Sequence, residues 1–229
     1  MPAWTSSASS ERTAPRSASA GSGVNRWLLR RETKPLLFVL ALTPLFWLLY
    51  GAVANTLGAN PAEALIRSTG DWTLRLLCLT LAITPLRQIT GWSALVRLRR
   101  MVGLFTFFYG VLHFLCFAWL DMGFDAAAIL TDIPKRPFIL VGTAALLLML
   151  PLAATSFNRA IQWLGAKRWQ MLHRAVYAVA LLALLHFFWM RAGKNDFAEW
   201  SIYAAVLALL LGWRLSRFVM ARRRSGLSA

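Results

Sequence analysis

Three residues in this chain can bind a metal or carry a proton at neutral pH from inside apolar sequence: His113, His173 and His186, which are all of its histidines. His173 and His186 share one apolar stretch, Trp169 to Met190, WQMLHRAVYAVALLALLHFFWM, and His113 lies in another. An ionisable side chain in hydrocarbon is costly, and such residues line a cavity, a proton path or a cofactor site. The thirteen residues between His173 and His186 correspond to ~20 Å along a helix axis and about 220° around it. The two therefore belong to sites at different depths and cannot share one ion.

His113 stands about midway along its run, and its depth resembles that of His186 more than that of His173. Neutral imidazole is a common axial ligand of haem iron, and a porphyrin held between two helices takes one imidazole from each side at similar height. The expected pair is His113 with His186. Where a partner for His173 would stand, thirteen or fourteen residues before His113, the chain has Arg100 and Arg99, so the inner site lacks a second histidine. Zinc is a poorer reading, because tetrahedral sites want close-set His, Cys or carboxylate ligands and no carboxylate is evident within the apolar runs. A proton relay would also use Asp or Glu there. A transporter or channel with a histidine-lined path stays open as a reading from a different class.

Arginines supply the candidate anion partners. Arg75, near the outer end of its run, is placed to pair with haem propionates, and Arg99, Arg100, Arg168 and Arg174 to do so at the inner end, or to bind a flavin phosphate or a quinone oxygen. Arg99, Arg100 and Arg168 are also accounted for by membrane topology, whereas Arg75 and Arg174 are the more informative.

The elements that must position these residues follow from hydropathy. With 58% hydrophobic residues in 229 and a mean hydropathy of +0.55, the chain reads as an all-α polytopic membrane protein of one domain. Six spans are expected, at about Leu36 to Ala54, Asp71 to Leu86, Leu98 to Leu120, Phe138 to Thr155, Trp169 to Met190 and Trp200 to Val219; each approaches the length that crosses ~30 Å of hydrocarbon. Residues 1–25 are rich in Ser, Ala and Gly and read as a disordered tail; residues 26–220 form the membrane domain, and 221–229 a short basic tail. The first span resembles a cleavable signal peptide but is read as an uncleaved helix. Prolines recur in LTPL and ITPL, at Pro44 and Pro85, and again at Pro151.

A formal charge of +16 does not signal nucleic-acid binding, because the charges sit in short loops between apolar runs rather than on one soluble face. They encode topology instead. Arg26, Arg30, Arg31, Lys34, Arg87, Arg97, Arg99, Arg100, Arg159, Lys167, Arg168, Arg214, Arg217 and Arg222 to Arg224 fall on one side, sixteen in all; Arg67, Lys135, Arg136, Arg191 and Lys194 fall on the other with most of the acids. Both termini are expected in the cytoplasm. Tryptophans at both boundaries, Trp169 among them, read as an aromatic belt. Cys78 and Cys116 lie in apolar runs without CxxC spacing and read as packing residues.

Six spans with histidines in the third and fifth resemble the ferric reductase-like transmembrane domain. More closely, LAITPLRQ (81–88), RLRRMVGLFTFFYGVLH (97–113) and WQMLHRAVYAVA (169–180) with His186 resemble the haem-binding membrane subunits of bacterial periplasmic methionine sulfoxide reductase systems, the MsrQ family, over about Leu28 to Arg223. The resemblance implies an inner-membrane protein with one or two haem b groups and with His113, His173 and His186 as ligands or near-ligands. It also implies electrons drawn from membrane quinones, or from a cytoplasmic flavin reductase, and an associated flavin mononucleotide (FMN). Electrons would pass to a periplasmic molybdopterin-containing methionine sulfoxide reductase that repairs oxidised proteins. A cytochrome b serving another acceptor, such as ferric iron, is the alternative within the same chemistry. Only about ten residues follow Val219, too few for a nicotinamide-binding domain, so donor and terminal acceptor are expected on other proteins.

Overall fold

The structure is a computed structural model and describes residues 21–193 and 195–226. Among these residues it is all-helical, without a strand: α1 (Gly21–Leu28), α2 (Thr33–Val53), α3 (Pro61–Thr90), α4 (Val96–Cys116), α5 (Ala126–Lys135), α6 (Pro137–Ala154), α7 (Asn158–Leu164), α8 (Ala166–His173), α9 (Val176–Ala192) and α10 (Ala198–Gly226). The expected N-terminal tail lies mostly outside the described residues, but its last five residues open α1, where the Asn25 side chain accepts from the Ala94 amide at 2.9 Å. At the other end α10 continues through the expected basic tail as far as Gly226. Lys194 lies outside the described residues.

Among the described residues, five helical segments are long and apolar enough to cross a membrane: Thr33–Val53, Ser93–Asp121, Pro137–Ala154, Ala166–Ala192 and Ala198–Arg223. The second expected span, Asp71 to Leu86, falls inside α3, whose 30 residues give it ample length (~45 Å). Glu63, Arg67, Asp71 and Arg75 interrupt its first half, and it is not among the five. The physical reason is its place in the bundle. Leu74, Leu77, Cys78 and Leu81 of α3 are buried in the central cluster with Met149, Val179, Ala180, Phe187 and Leu207 from α6, α9 and α10. A helix walled by protein on many sides need not be apolar all round, whereas α2 and α10 turn Trp47 and Leu209 outward, each more than 70% exposed.

Local signals set the ends of α3. The Asn60 side chain accepts from the Glu63 amide at 3.1 Å and Pro61 opens the helix; Gly91 closes it at φ +75°, a conformation that favours glycine. Two helix pairs then dominate the packing, α3 with α4 and α6 with α9. Small residues sit at both contacts: Gly103 and Gly110 on α4, and buried Ala145 and Ala180 on α6 and α9. Close backbone approach at such residues is the usual basis of helix association in lipid.

Side chains from neighbouring helices bond to the backbone beside two of the helix prolines. Pro85 has no N–H to offer the Leu81 carbonyl, and the Arg214 guanidinium from α10 donates to that carbonyl. Next to Pro44, the fully buried Tyr109 hydroxyl donates to the Ala41 carbonyl at 2.8 Å and accepts from the Leu45 amide at 3.2 Å. Those are the two groups that an ordinary helical i→i−4 bond would join.

Candidate functional site

His113 on α4 and His186 on α9 come together across the bundle. Their ring centroids are 5.9 Å apart and the rings are inclined at 79°. His113 Nδ1 lies 2.8 Å from the Ile66 carbonyl of α3, and His186 Nδ1 lies 2.7 Å from the Phe138 carbonyl of α6. A carbonyl only accepts, so both Nδ1 atoms carry the proton and both Nε2 lone pairs are left for another partner. This arrangement, a histidine oriented by a backbone carbonyl through its far nitrogen, is the usual support of a metal-bound imidazole.

Each ring also rests on a glycine. A Cβ at Gly70 would stand 3.1 Å from His113 Nδ1, and one at Gly142 would stand 2.8 Å from His186 Nδ1. Around the two imidazoles is a cavity of about 230 Å³ lined mostly by apolar side chains. Arg67, Asp71, Asp121 and Arg136 line it as well; Arg67 pairs with Glu63, and Arg136 with Asp132 at 2.9 Å. Just beyond His113, Phe117–Asp121 form a single π-helical turn, and Phe117 and Asp121 line the cavity. Such turns recur at functional sites.

A second cavity, of about 450 Å³, surrounds His173 with Arg99, Arg100, Arg174, Trp169 and Tyr177. Trp169 stacks on the His173 ring at 3.9 Å, and its indole N–H donates to the Thr155 carbonyl. It is thus part of this site as well as a boundary residue. His173 Nδ1 is directed at the Trp169 carbonyl of its own helix, 3.1 Å away, and its Nε2 is buried without a hydrogen-bond partner. Immediately after it the chain tightens: the Arg174 and Ala175 amides bond to the Met171 and Leu172 carbonyls, three residues back. The expected single helix from Trp169 to Met190 is therefore α8 and α9 joined by one overwound step. Leu77, Met149 and Val179 line both cavities, so one layer of side chains separates them.

Among the expected site residues, His113 and His186 meet, His173 stands apart as its spacing required, and Arg99, Arg100 and Arg174 surround His173. Arg75 is the exception. Its Nε donates to the Tyr203 hydroxyl at 3.2 Å and its guanidinium lies 5.0 Å over Trp72; it lines neither cavity. Four positions along a helix differ by only about 40° in direction, so Arg75 starts on nearly the same face of α3 as Asp71; its long side chain is drawn aside by the Tyr203 hydroxyl of α10 and the Trp72 ring. Asp71, at the start of the second expected span, lines the cavity of the two histidines. Gly70, Gly142, Ile66 and Phe138 escaped sequence reasoning, since a glycine and a backbone carbonyl carry no chemistry until a partner is placed against them.

The 5.9 Å between the ring centroids leaves room for a metal between the two imidazoles. Two metal–imidazole bonds of ~2.0 Å, as for other divalent metals, would set ring centroids ~6 Å apart, close to the observed spacing. With apolar walls and two supported imidazoles, the residues fit a haem.

Comparison with known proteins places the chain in a family. The family described as ferric reductase like transmembrane component matches residues 69–184, from α3 to two residues short of His186. The protein of Polaromonas naphthalenivorans named protein-methionine-sulfoxide reductase heme-binding subunit MsrQ is 61% identical over 204 residues, 89% of this chain and 93% of its own. Proteins of the same name from Ralstonia nicotianae and Bordetella parapertussis are 55% and 59% identical, over 81% and 80% of this chain and 85% and 88% of theirs. No solved structure matches the chain. Half of the chain matched by the ferric reductase like model, together with relatives this similar over nearly their whole length, means that the chain belongs to the ferric reductase like transmembrane family and, within it, to the MsrQ family.

Proposed function

We propose that this chain is a haem b electron-transfer subunit of the inner membrane, which carries electrons from membrane quinones to a periplasmic molybdopterin-containing methionine sulfoxide reductase. The single observation that carries the reading is the His113–His186 pair, each Nδ1 spent on a carbonyl of a neighbouring helix and each Nε2 left as a ligand. When bound, the haem supplies reversible one-electron chemistry. The chain's residues orient the two imidazoles, exclude water with apolar walls and set the distance to the next site.

Electrons enter at the inner cavity, where Arg99, Arg100 and Arg174 offer cationic donors to a quinone oxygen or to an FMN phosphate, and His173 Nε2 is a further polar contact or the ligand of a second haem. The layer formed by Leu77, Met149 and Val179 makes the onward transfer short. A cytoplasmic flavin reductase is the alternative donor to the same cavity. Orientation rests on the basic residues, sixteen on the inner side, with α3 as the sixth span and both termini cytoplasmic.

The test is the reduced-minus-oxidised absorption spectrum of the purified protein, with haem counted per chain. A b-type spectrum that the periplasmic reductase partner reoxidises is the expected result. A colourless protein from haem-replete cells would discard the reading, and reoxidation by ferric iron alone would replace the acceptor.

A further inference from the structure

The two histidine supports repeat one local device. Ile66 is four residues before Gly70 on α3, and Phe138 is four residues before Gly142 on α6. In both cases the histidine of the adjoining helix lies against the glycine and donates to the carbonyl four residues earlier. The geometry explains the combination. Each Cα–Cβ bond of a helix tilts towards its N-terminus, so a Cβ at position i overhangs the carbonyl of position i−4. Glycine uncovers that carbonyl's second lone pair while the first keeps its helical bond.

We propose that Gly70 and Gly142 are positioning residues that set the planes of the His113 and His186 imidazoles, nearly perpendicular to one another, at the haem. The inference rests on the haem reading above. A ring whose Nδ1 and Cε1 atoms abut a glycine and which is tied through Nδ1 keeps little freedom to rotate about its metal bond. Two such supports on different helices therefore fix the 79° between the rings. The orientation of axial imidazoles and the hydrogen bond behind them are levers on a haem's electronic structure and potential.

Electron paramagnetic resonance of the oxidised holoprotein reads this angle directly. Low-spin haem with perpendicular imidazole planes gives one broad large-g feature, whereas parallel planes give a three-line rhombic signal. The wild type should show the large-g feature. Gly142→Ala, whose Cβ would stand 2.8 Å from His186 Nδ1, should move the signal towards rhombic and shift the midpoint potential, more than Gly70→Ala with its 3.1 Å contact. Gly212→Ala on α10 is the control: a Cβ there would meet nothing within 4 Å, the residue lines neither cavity, and both readouts should stay put.

A rhombic wild-type signal from haem that still depends on His113 and His186 would overturn the inference and spare the electron-transfer reading. Alanine variants with wild-type signal and potential would also overturn it. Should both variants fail to assemble, the wild-type spectrum alone decides, and a colourless wild type sinks both readings.

Discussion

The His113 and His186 rings lie 5.9 Å apart although 73 residues separate them in the chain, and each is held by a carbonyl of a helix other than its own. Neither imidazole can be removed without leaving the other opposite an empty position. His113→Ala and His186→Ala should each abolish the same haem signal in the absorption spectrum. Independent loss of two distinct signals would show that the two histidines serve different groups.

His173 occupies the other cavity, behind Leu77, Met149 and Val179. His173→Ala should preserve the signal of the outer haem and slow its reduction by quinol, read by stopped-flow absorbance. An unchanged reduction rate would take the inner cavity out of the electron path.

Arg214 and Pro85 are linked through the Leu81 carbonyl, which proline leaves without its helical donor and the guanidinium supplies. Arg214→Ala should cost about 1–3 kcal/mol, the penalty for a buried unsatisfied acceptor, seen as a lower Tm in detergent. Pro85→Ala in that background restores a backbone N–H to the carbonyl and should recover most of the loss. Additive rather than compensating effects would mean that Arg214 stabilises the fold by other contacts.

Tyr109 ties α4 to α2 through one hydroxyl shared between Ala41 and Leu45. Tyr109→Phe should destabilise by about 1–3 kcal/mol and raise amide hydrogen exchange in α2 around Pro44, with the haem spectrum unchanged because the ring stays in place. Unaltered exchange across α2 would show that water or another group replaces the hydroxyl.

Topology can be read with reporter fusions. A cytoplasmic reporter fused at either terminus should be active, and a periplasmic reporter placed after Gly58, in the α2–α3 connection, should be active as well. A periplasmic C-terminus would reverse the assignment of the two cavities to inner and outer sides.

The sequence by itself determined the class of structure and the depth of its chemistry. Long apolar runs in water-free surroundings have no option but helix, and the thirteen-residue interval between His173 and His186 excludes a shared ion, because helical rise and rotation are properties of the backbone alone. Tertiary structure decided the rest. Whether α3 faces lipid or protein, and hence why a helix carrying Asp71 and Arg75 can stand in the middle of the bundle, depends on what surrounds it. The direction of Arg75, away from both cavities, is set by the Tyr203 hydroxyl and the Trp72 ring that its guanidinium meets. The role proposed for Gly70 and Gly142 came into view only once a ring was placed against each. A missing side chain gives no local signal, and its value lies wholly in the close approach of a second helix.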